Sequence, residues 1–265
     1  MNLRLRRSAG FTLIEAIMVI VITGILAGIV AVFITKPVEG YVDSVRRAEL
    51  TDNADVALRR IARDVRLALP NSLRTVPNGF EFIMTKSGGR YRDGADGSTG
   101  GDVLNFNVVA PGDLSFDVLG PPSEMTANDL VVVYNLGVPG SDAYTGNRAL
   151  VSSIIGNNVT LASNPFTYPS PSARFQVIDK NAQVVRYLCD GTSLRRITEC
   201  SLSATSCIPT NALLAGGGTV TASCPNIDYS PNATGRNGLL YISLTLTSGG
   251  ESVTLFQQIH VDNSP

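Results

Sequence analysis

The longest apolar segment of the chain lies close to its N-terminus. Residues 16–34 are nineteen consecutive positions without a charge, and most of them are Ile, Val, Leu, Ala or Gly. At about 1.5 Å per helical residue, this segment approaches the thickness of a bilayer core of about 30 Å. A transmembrane helix is therefore expected at about 14–35. Because Arg4, Arg6 and Arg7 precede it, the start of the chain is expected in the cytoplasm and everything after the segment outside.

A second helical pattern follows the apolar segment. Between residues 41 and 69, apolar side chains recur at steps of three and four, and arginines occupy much of the remainder. Pro70 ends the pattern, because a proline disfavours helix in the residue before it. We predict one helix over 11–69, apolar all round in its first half and amphipathic in its second. Pro37 and Gly40 are expected to kink or locally melt it just outside the membrane.

Strand patterns dominate from residue 79 onward, and several of them alternate apolar and polar positions. The predicted strands are 79–85, 103–109, 130–136, 149–155, 158–161, 174–178, 182–188, 193–198, 238–247 and 251–261. Long loops are predicted at 86–102, 111–128, 137–147, 162–173 and 199–237. Ser248-Gly249-Gly250 and Asp190-Gly191 each separate two strand patterns and predict hairpins. Strands do not alternate with helices, so we predict an α+β fold in which antiparallel sheets of a β-rich domain (70–265) rest on the helix.

One acidic residue, Glu15, interrupts the apolar N-terminus and separates three interpretations of it. A secretory signal peptide has a shorter apolar region followed by a small-residue cleavage site, and the sequence has neither. An ordinary membrane anchor fits the length but gives Glu15 no role. A carboxylate inside an apolar segment costs about 2.5–3.5 kcal/mol on insertion scales, so a role for it is expected. The third interpretation supplies one.

The residues Gly10-Phe11-Thr12-Leu13-Ile14-Glu15, after a basic leader, resemble the start of type IV prepilins and type II secretion pseudopilins. The resemblance implies that a prepilin peptidase removes the leader, residues 1–10, by cutting between Gly10 and Phe11, and then N-methylates Phe11. Glu15 becomes the fifth residue of the mature chain, where that family keeps a Glu. The implied partners are other pilins or pseudopilins, the prepilin peptidase and an inner-membrane assembly platform. The implied fold is type IV pilin-like.

The chemistry of these residues agrees with assembly into a filament. Cleavage frees an α-amine at Phe11, and residues four apart share one face of a helix, so Glu15 is expected beside that amine or beside the amine of a neighbouring subunit. A paired charge in lipid costs less than an unpaired one. Gly24 and Gly28 form a G-x-x-x-G spacing, which is typical of close helix packing, although glycine is also common in membrane helices generally.

Four further segments, three of them in the predicted helix, make the resemblance more specific. Residues 33–41, 46–50, 57–66 and 186–191 are similar to minor pilin-like proteins of mannose-sensitive haemagglutinin (MSHA) pilus biogenesis, the MshO family. This similarity implies a minor pilin in the inner membrane, with its C-terminal domain in the periplasm, that helps assemble an MSHA-like type IV pilus. The alternatives are a minor pseudopilin of type II secretion, similar to the J subunit, and a membrane-anchored periplasmic enzyme or binding protein.

Four cysteines, Cys189, Cys200, Cys207 and Cys224, lie close together near the C-terminus. An even, clustered number in an exported chain favours two disulfide bonds in an oxidising compartment. Four cysteines allow three connectivities. We expect Cys200 to pair with Cys207 and Cys189 with Cys224, because Cys189 and Cys200 lie at unequal distances from the turn of the second predicted hairpin.

Composition and motifs favour a structural role. The net charge of −1 gives no general attraction to nucleic acid. No P-loop, nucleophile-elbow or zinc-protease motif occurs, so no catalytic residue is assigned and no enzyme is predicted. His260 is expected to be a structural or surface residue. Asp93, Asp96 and Asp102 on a glycine-rich loop are candidate calcium ligands, although their spacing does not match an EF-hand, and no other cofactor is expected.

Overall fold

One long helix and an extensive set of strands make up the chain. The computed structural model describes residues 10–94, 100–106, 112–120, 124–199, 201–202, 209–231 and 237–265. The helix, α1, extends from Leu13 to Val65. The chain divides into two compact units, residues 1–49 and residues 50–265, so α1 contributes to both.

The first unit contains the part of α1 up to Glu49. Pro37 and Gly40 lie inside α1, and the residues on both sides of them remain helical. Of the two alternatives expected at these residues, local melting is therefore wrong, and a kink stays a prediction. Proline lacks only its own N–H, so one bond of the helical ladder is lost while those of the neighbouring turns remain.

The described part of the second unit contains fifteen strands. They are β1 (Arg74–Val76), β2 (Gly79–Ile83), β3 (Thr85–Tyr91), β4 (Ser115–Leu119), β5 (Leu130–Val133), β6 (Ala149–Ile155), β7 (Asn158–Leu161), β8 (Arg174–Ile178), β9 (Val184–Cys189), β10 (Ser193–Glu199), β11 (Thr210–Gly216), β12 (Thr221–Ser223), β13 (Ile227–Ser230), β14 (Asn237–Ser248) and β15 (Glu251–Asp262). Every pairing between them is antiparallel. The predicted α+β class with antiparallel sheets is confirmed.

The strands form two open sheets and a barrel. The five-stranded sheet has the order β1-β2-β9-β10-β11, and a second sheet has the order β12-β14-β13 with β15 paired to β14. β3-β4-β7-β6-β5-β8 close into a barrel. Both predicted hairpins are present, since β9 pairs with β10 across Asp190-Gly191 and β14 pairs with β15 across Ser248-Gly249-Gly250.

The C-terminal part of α1 packs on the two open sheets. Ala54, Ala57 and Ile61 are buried and belong to one core cluster with Tyr187 of the five-stranded sheet and Ile242 of the second sheet. Alanine on the buried face of the helix lets its backbone lie close to the strands. The apolar positions of the second helical pattern are thus the ones that the sheets cover.

A buried acid ties the end of α1 to the five-stranded sheet. Asp64 is 2% exposed, and its Oδ2 accepts hydrogen bonds from Arg196 Nε at 2.6 Å and from the Tyr187 hydroxyl at 2.8 Å. The Arg196 side chain is itself only 12% exposed, so its charge depends on Asp64 away from water. Arg60, which is more exposed, also pairs with Asp64, at 3.2 Å. Burial, and then the Asp64 charge, raise the pKa of Tyr187, which keeps its hydroxyl as a donor.

Several strands lie where long loops were predicted. β3 falls in the predicted loop 86–102, β4 in 111–128, and β11, β12 and β13 in 199–237. In β3 the apolar alternation is missing because Gly89 lies against the barrel core, where an added Cβ would be 2.7 Å from the Phe175 ring of β8. A strand that is approached this closely needs a glycine at that position, so the alternation of apolar and polar side chains is interrupted there.

The strand predicted at 103–109 is wrong over its described part, residues 103–106. The backbone N–H of Leu104 donates to the carbonyl of Arg92, and the N–H of Asn105 donates to the side chain of Asp113. Hydrogen bonds of this segment therefore go to loop partners instead of to a strand ladder. Residues 107–109 lie outside the described residues.

We predict that Asp64→Ala destabilises the second unit by about 3–5 kcal/mol, because it leaves the Arg196 guanidinium buried without its carboxylate. Asp55 is the matched control on the same helix, since its ion pair with Arg59 (2.7 Å) is exposed. Asp55→Ala is expected to cost less than about 1 kcal/mol. Urea unfolding of the detergent-solubilised chain measures both. Equal effects of the two substitutions would contradict the structural role of Asp64.

Candidate functional site

The N-terminus of α1 is closed by a reciprocal pair of side chains. The carbonyl of Thr12 accepts the first helical bond, from Ala16 N at 3.1 Å. The Thr12 hydroxyl accepts from the N–H of Glu15 at 3.3 Å, and Glu15 Oε2 accepts from the Thr12 N–H at 3.5 Å. This is the capping-box arrangement of a Thr followed three residues later by a Glu. Glu15 therefore stabilises the helix end and does not simply project into the surroundings.

Phe11 lies before the first residue of the helix and is 73% exposed. The structure begins α1 two residues after Phe11, and the expected pairing of Glu15 with the amine that cleavage creates at Phe11 stays a prediction. The capping bond instead turns the Glu15 carboxylate back toward the backbone of Thr12, the residue after Phe11. Gly10 is exposed, and no atom lies within 4 Å of the position its Cβ would take. Among the described residues, none therefore covers the peptide bond between Gly10 and Phe11.

Glu15 has no cationic partner among the residues that the structure describes. Its contacts are with the N–H and hydroxyl of Thr12, and the positive end of the helix dipole also favours a carboxylate there. Neither provides a full compensating charge. Arg4, Arg6 and Arg7 lie outside the described residues. The carboxylate therefore keeps its capacity to bind an ammonium group from elsewhere.

The part of α1 that follows Glu15, residues 16–34, carries no charge on any side. None of this apolar segment is buried against other described residues. Within the described ranges, α1 is the one helix that is long and apolar enough to cross a membrane. Gly24 and Gly28 are open to close approach, since no atom lies within 4 Å of an added Cβ at either. The surface is thus free for lipid or for other helices.

A disulfide bond joins Cys189 and Cys224, whose Cα atoms are 6.0 Å apart. Cys189 ends β9 of the five-stranded sheet, and Cys224 follows β12 of the second sheet. The bond links the two sheets that carry α1. The other expected pair, Cys200 with Cys207, lies outside the described residues.

The candidate calcium ligands are only partly described, since Asp96 lies outside the described residues. Asp102 accepts a hydrogen bond from Asn158 Nδ2 at 2.9 Å, and its own N–H donates to Asp117 at 3.0 Å. That N–H, followed by the Asn158 amide, lowers the pKa of Asp117. Across the described segments, no group of three or more potential metal-binding side chains occurs. Calcium binding at Asp93, Asp96 and Asp102 stays a prediction.

His260 lies on the exposed side of β15, opposite Leu239 of β14.

Two features of the structure were not predicted from the sequence. The capping role of Thr12 could have been read from its spacing to Glu15. The partnership of Asp64 with Arg196 could not, because the two residues are 132 positions apart and their meeting depends on the fold.

The comparison with known protein families agrees with the geometry of the helix end. The prokaryotic N-terminal methylation motif matches residues 5–31. This match supports a type IV pilin-like protein, as do the long apolar helix and the antiparallel sheets. No curated protein and no solved structure that was compared with the chain matches it.

We predict that Thr12→Ala speeds hydrogen exchange at the amides of the first turn of α1 about fivefold, because loss of the cap costs about 1 kcal/mol. Thr12→Ser keeps the hydroxyl and is expected to exchange as the unchanged chain does. Thr35→Ala, in the middle of the helix, is the positional control. The measurement is hydrogen–deuterium exchange in detergent micelles, and equal rates in the Ala and Ser variants would contradict the capping box.

Proposed function

We propose that this chain is a minor pilin-like subunit. It is made as a precursor, cut between Gly10 and Phe11 by a prepilin peptidase, N-methylated at Phe11 and built into a type IV pilus-like filament. The observation that carries the proposal is the conjunction of two features. The methylation motif matches the N-terminus, and the apolar part of α1, up to residue 34, contains a single acid, Glu15, which lacks a cationic partner among the described residues. Type IV pilin-like proteins are structural subunits, and we propose the same role here.

Assembly follows from the charge at the helix end. In the precursor, Glu15 binds back to Thr12. Cleavage creates an ammonium group at Phe11, and in a filament the ammonium of one subunit is available to the carboxylate of the next. An ion pair within an apolar environment relieves a cost of about 2.5–3.5 kcal/mol for the lone carboxylate. Contact between apolar helices, with Gly24 and Gly28 allowing close approach, provides the packing around that pair.

The location proposed for the chain is the inner membrane, with a single pass and a periplasmic C-terminal domain, followed by entry into the filament. The basic leader favours a cytoplasmic N-terminus. The Cys189–Cys224 disulfide supports an oxidising compartment for the second unit. The proposed partners are the prepilin peptidase, an inner-membrane assembly platform and other pilin-like subunits.

The filament that we propose is an MSHA-like type IV pilus, on the similarity of residues 33–41, 46–50 and 57–66 to the MshO family. A minor pseudopilin of type II secretion is the second candidate, because the methylation motif favours both classes equally. A periplasmic binding protein is less well supported. The apolar hollow at one end of the barrel measures about 180 Å³, and ligand sites are usually about 300–1,000 Å³.

The first test is the mass of the N-terminal peptide of the protein isolated from the cell envelope. The expected N-terminus is N-methyl-Phe11. A chain that keeps Met1, or one that is cut after about residue 35 as a secretory protein is, would contradict the proposal. Gly10→Leu is the matched precursor variant and is expected to remain uncut.

The second test separates anchoring from assembly. We predict that Glu15→Ala leaves the protein in the inner membrane but lowers its incorporation into filaments at least about tenfold, because the variant has no carboxylate to pair with the ammonium group of a neighbouring subunit. Glu39→Ala, an exposed acid on the same helix that pairs with Lys36, is expected to assemble normally. Immunoblots of sheared filaments measure incorporation. Normal piliation or secretion with Glu15→Ala counts against the charge-pairing account.

A further inference from the structure

β15 is a long strand with one free edge. It pairs with β14 from Asn237↔Asp262 to Ser248↔Glu251, and within the described part of the chain no strand pairs with its other side. At about 3.4 Å per residue, its twelve residues present an edge of about 40 Å. Such an edge carries a row of backbone donors and acceptors that can bind a further strand.

The usual devices that protect an edge strand are missing from β15. The strand contains no Pro, Lys or Arg, and its register with β14 has no bulge. Its acidic residues stand at the two ends, Glu251 and Asp262, so the central residues 252–261 carry no acid or base other than His260. Natural sheets blunt their edges with short strands, lysines, prolines or bulges. The edge of β15 is therefore able to pair with a further strand.

Two side chains near the middle of β15 would gain contacts from a further strand. Phe256 is 71% exposed and stacks on Tyr241 of β14 at a centroid distance of 6.4 Å. On the other face of the strand, Gln257 Oε1 is buried without a hydrogen-bond partner in the described chain. A strand added beside β15 would bury more of Phe256 and could bring a donor to Gln257. Phe256 on one face and Gln257 on the other are thus both consistent with a further strand beside β15.

We propose that the free edge of β15 binds an extended strand of a sister pilin-like subunit. The uncharged centre of β15 fits a partner strand with an apolar residue against Phe256, and the acidic ends Glu251 and Asp262 fit a basic residue at one or both ends of that strand. The identity of the partner as a pilin-like subunit rests on the proposed function. The edge itself is a property of the second unit alone.

A second copy of this chain does not fit the edge equally well. Antiparallel pairing of two β15 strands over their full length sets Glu251 of each copy opposite Asp262 of the other. Like charges directly opposite each other destabilise a pair of strands. The charge pattern thus favours a different subunit over self-association.

Photo-crosslinking in cells tests the proposal. A photoreactive phenylalanine analogue replaces Phe256 in the full chain, and the same analogue at Ile155, which is 77% exposed on β6 of the barrel, is the control. The expected product at position 256 is an adduct with a strand segment of another envelope protein that bears the N-terminal methylation motif, identified by peptide mass spectrometry. The analogue at position 155 is expected to give at least about tenfold less of that adduct, because Ile155 does not lie on the edge.

A charge-reversal variant provides a second test of the strand proposal. Asp262→Lys is expected to lower the yield of the adduct about fivefold, because it sets like charges opposite each other. Asp228→Lys, which reverses an exposed acid on β13 on the far side of β14, is expected to leave the yield unchanged. Equal yields for Asp262→Lys and Asp228→Lys would overturn the proposed charge match.

The N-terminus of the chain is determined in the same samples, so that the two proposals can fail separately. A chain that begins at Phe11 but gives no adduct at position 256, or only an adduct with its own second copy, overturns the strand proposal and leaves the filament proposal standing. An adduct with a methylation-motif protein in a chain that keeps Met1 supports the strand proposal and overturns the filament proposal.

Discussion

The apolar surface of α1 between residues 16 and 34 must be covered by something other than water, and the described residues of the chain do not cover it. Each large apolar side chain on that surface gains about 1.5–3 kcal/mol on leaving water. Lipid meets this demand for a single subunit. Packing against other helices meets it in a filament. Glu15 adds a second demand, because its carboxylate has no cationic partner among the described residues. In the proposed filament, the processed N-terminus of the same or of a neighbouring subunit would provide that cation.

Within the second unit, the C-terminal part of α1 is fixed to the sheets. Ala54, Ala57 and Ile61 fill the space between α1 and the open sheets, and Asp64 fixes the end of the helix to Arg196 and Tyr187. The disulfide between β9 and the segment after β12 links the same two sheets. A covalent link and a buried ion pair thus both stabilise the core of the second unit.

Much of the fold could be predicted because its patterns are local. The long apolar segment, the amphipathic continuation and strands such as β6, β7 and β8 follow from periodicity within a few residues, and their bounds agree with the structure. β3 and β13 could not be found this way. β3 uses Gly89 to admit the Phe175 ring, and β13 alternates half-buried with exposed positions and contains no fully buried side chain. Tertiary contacts decide both.

The candidate site likewise has features that follow from the local sequence and features that depend on the fold. The motif around Gly10, Phe11 and Glu15 is contiguous, and even the missed cap at Thr12 is present in the spacing of the sequence. The sequence does not indicate the role of Asp64, because its partner Arg196 lies on β10, 132 positions along the chain. The free edge of β15 likewise follows from the order of strands in the sheet, which the pattern of one strand does not contain.

The central claim is that this chain is a component of a filament, and co-sedimentation tests it most directly. Filaments are sheared from intact cells that express the chain at its native level, purified by centrifugation and probed with an antibody to the second unit. The account predicts the mature chain in the filament fraction together with other pilin-like subunits, in fewer copies than the main subunit. Recovery of the chain solely as a monomer in the membrane fraction, with none in the filaments, would contradict the account.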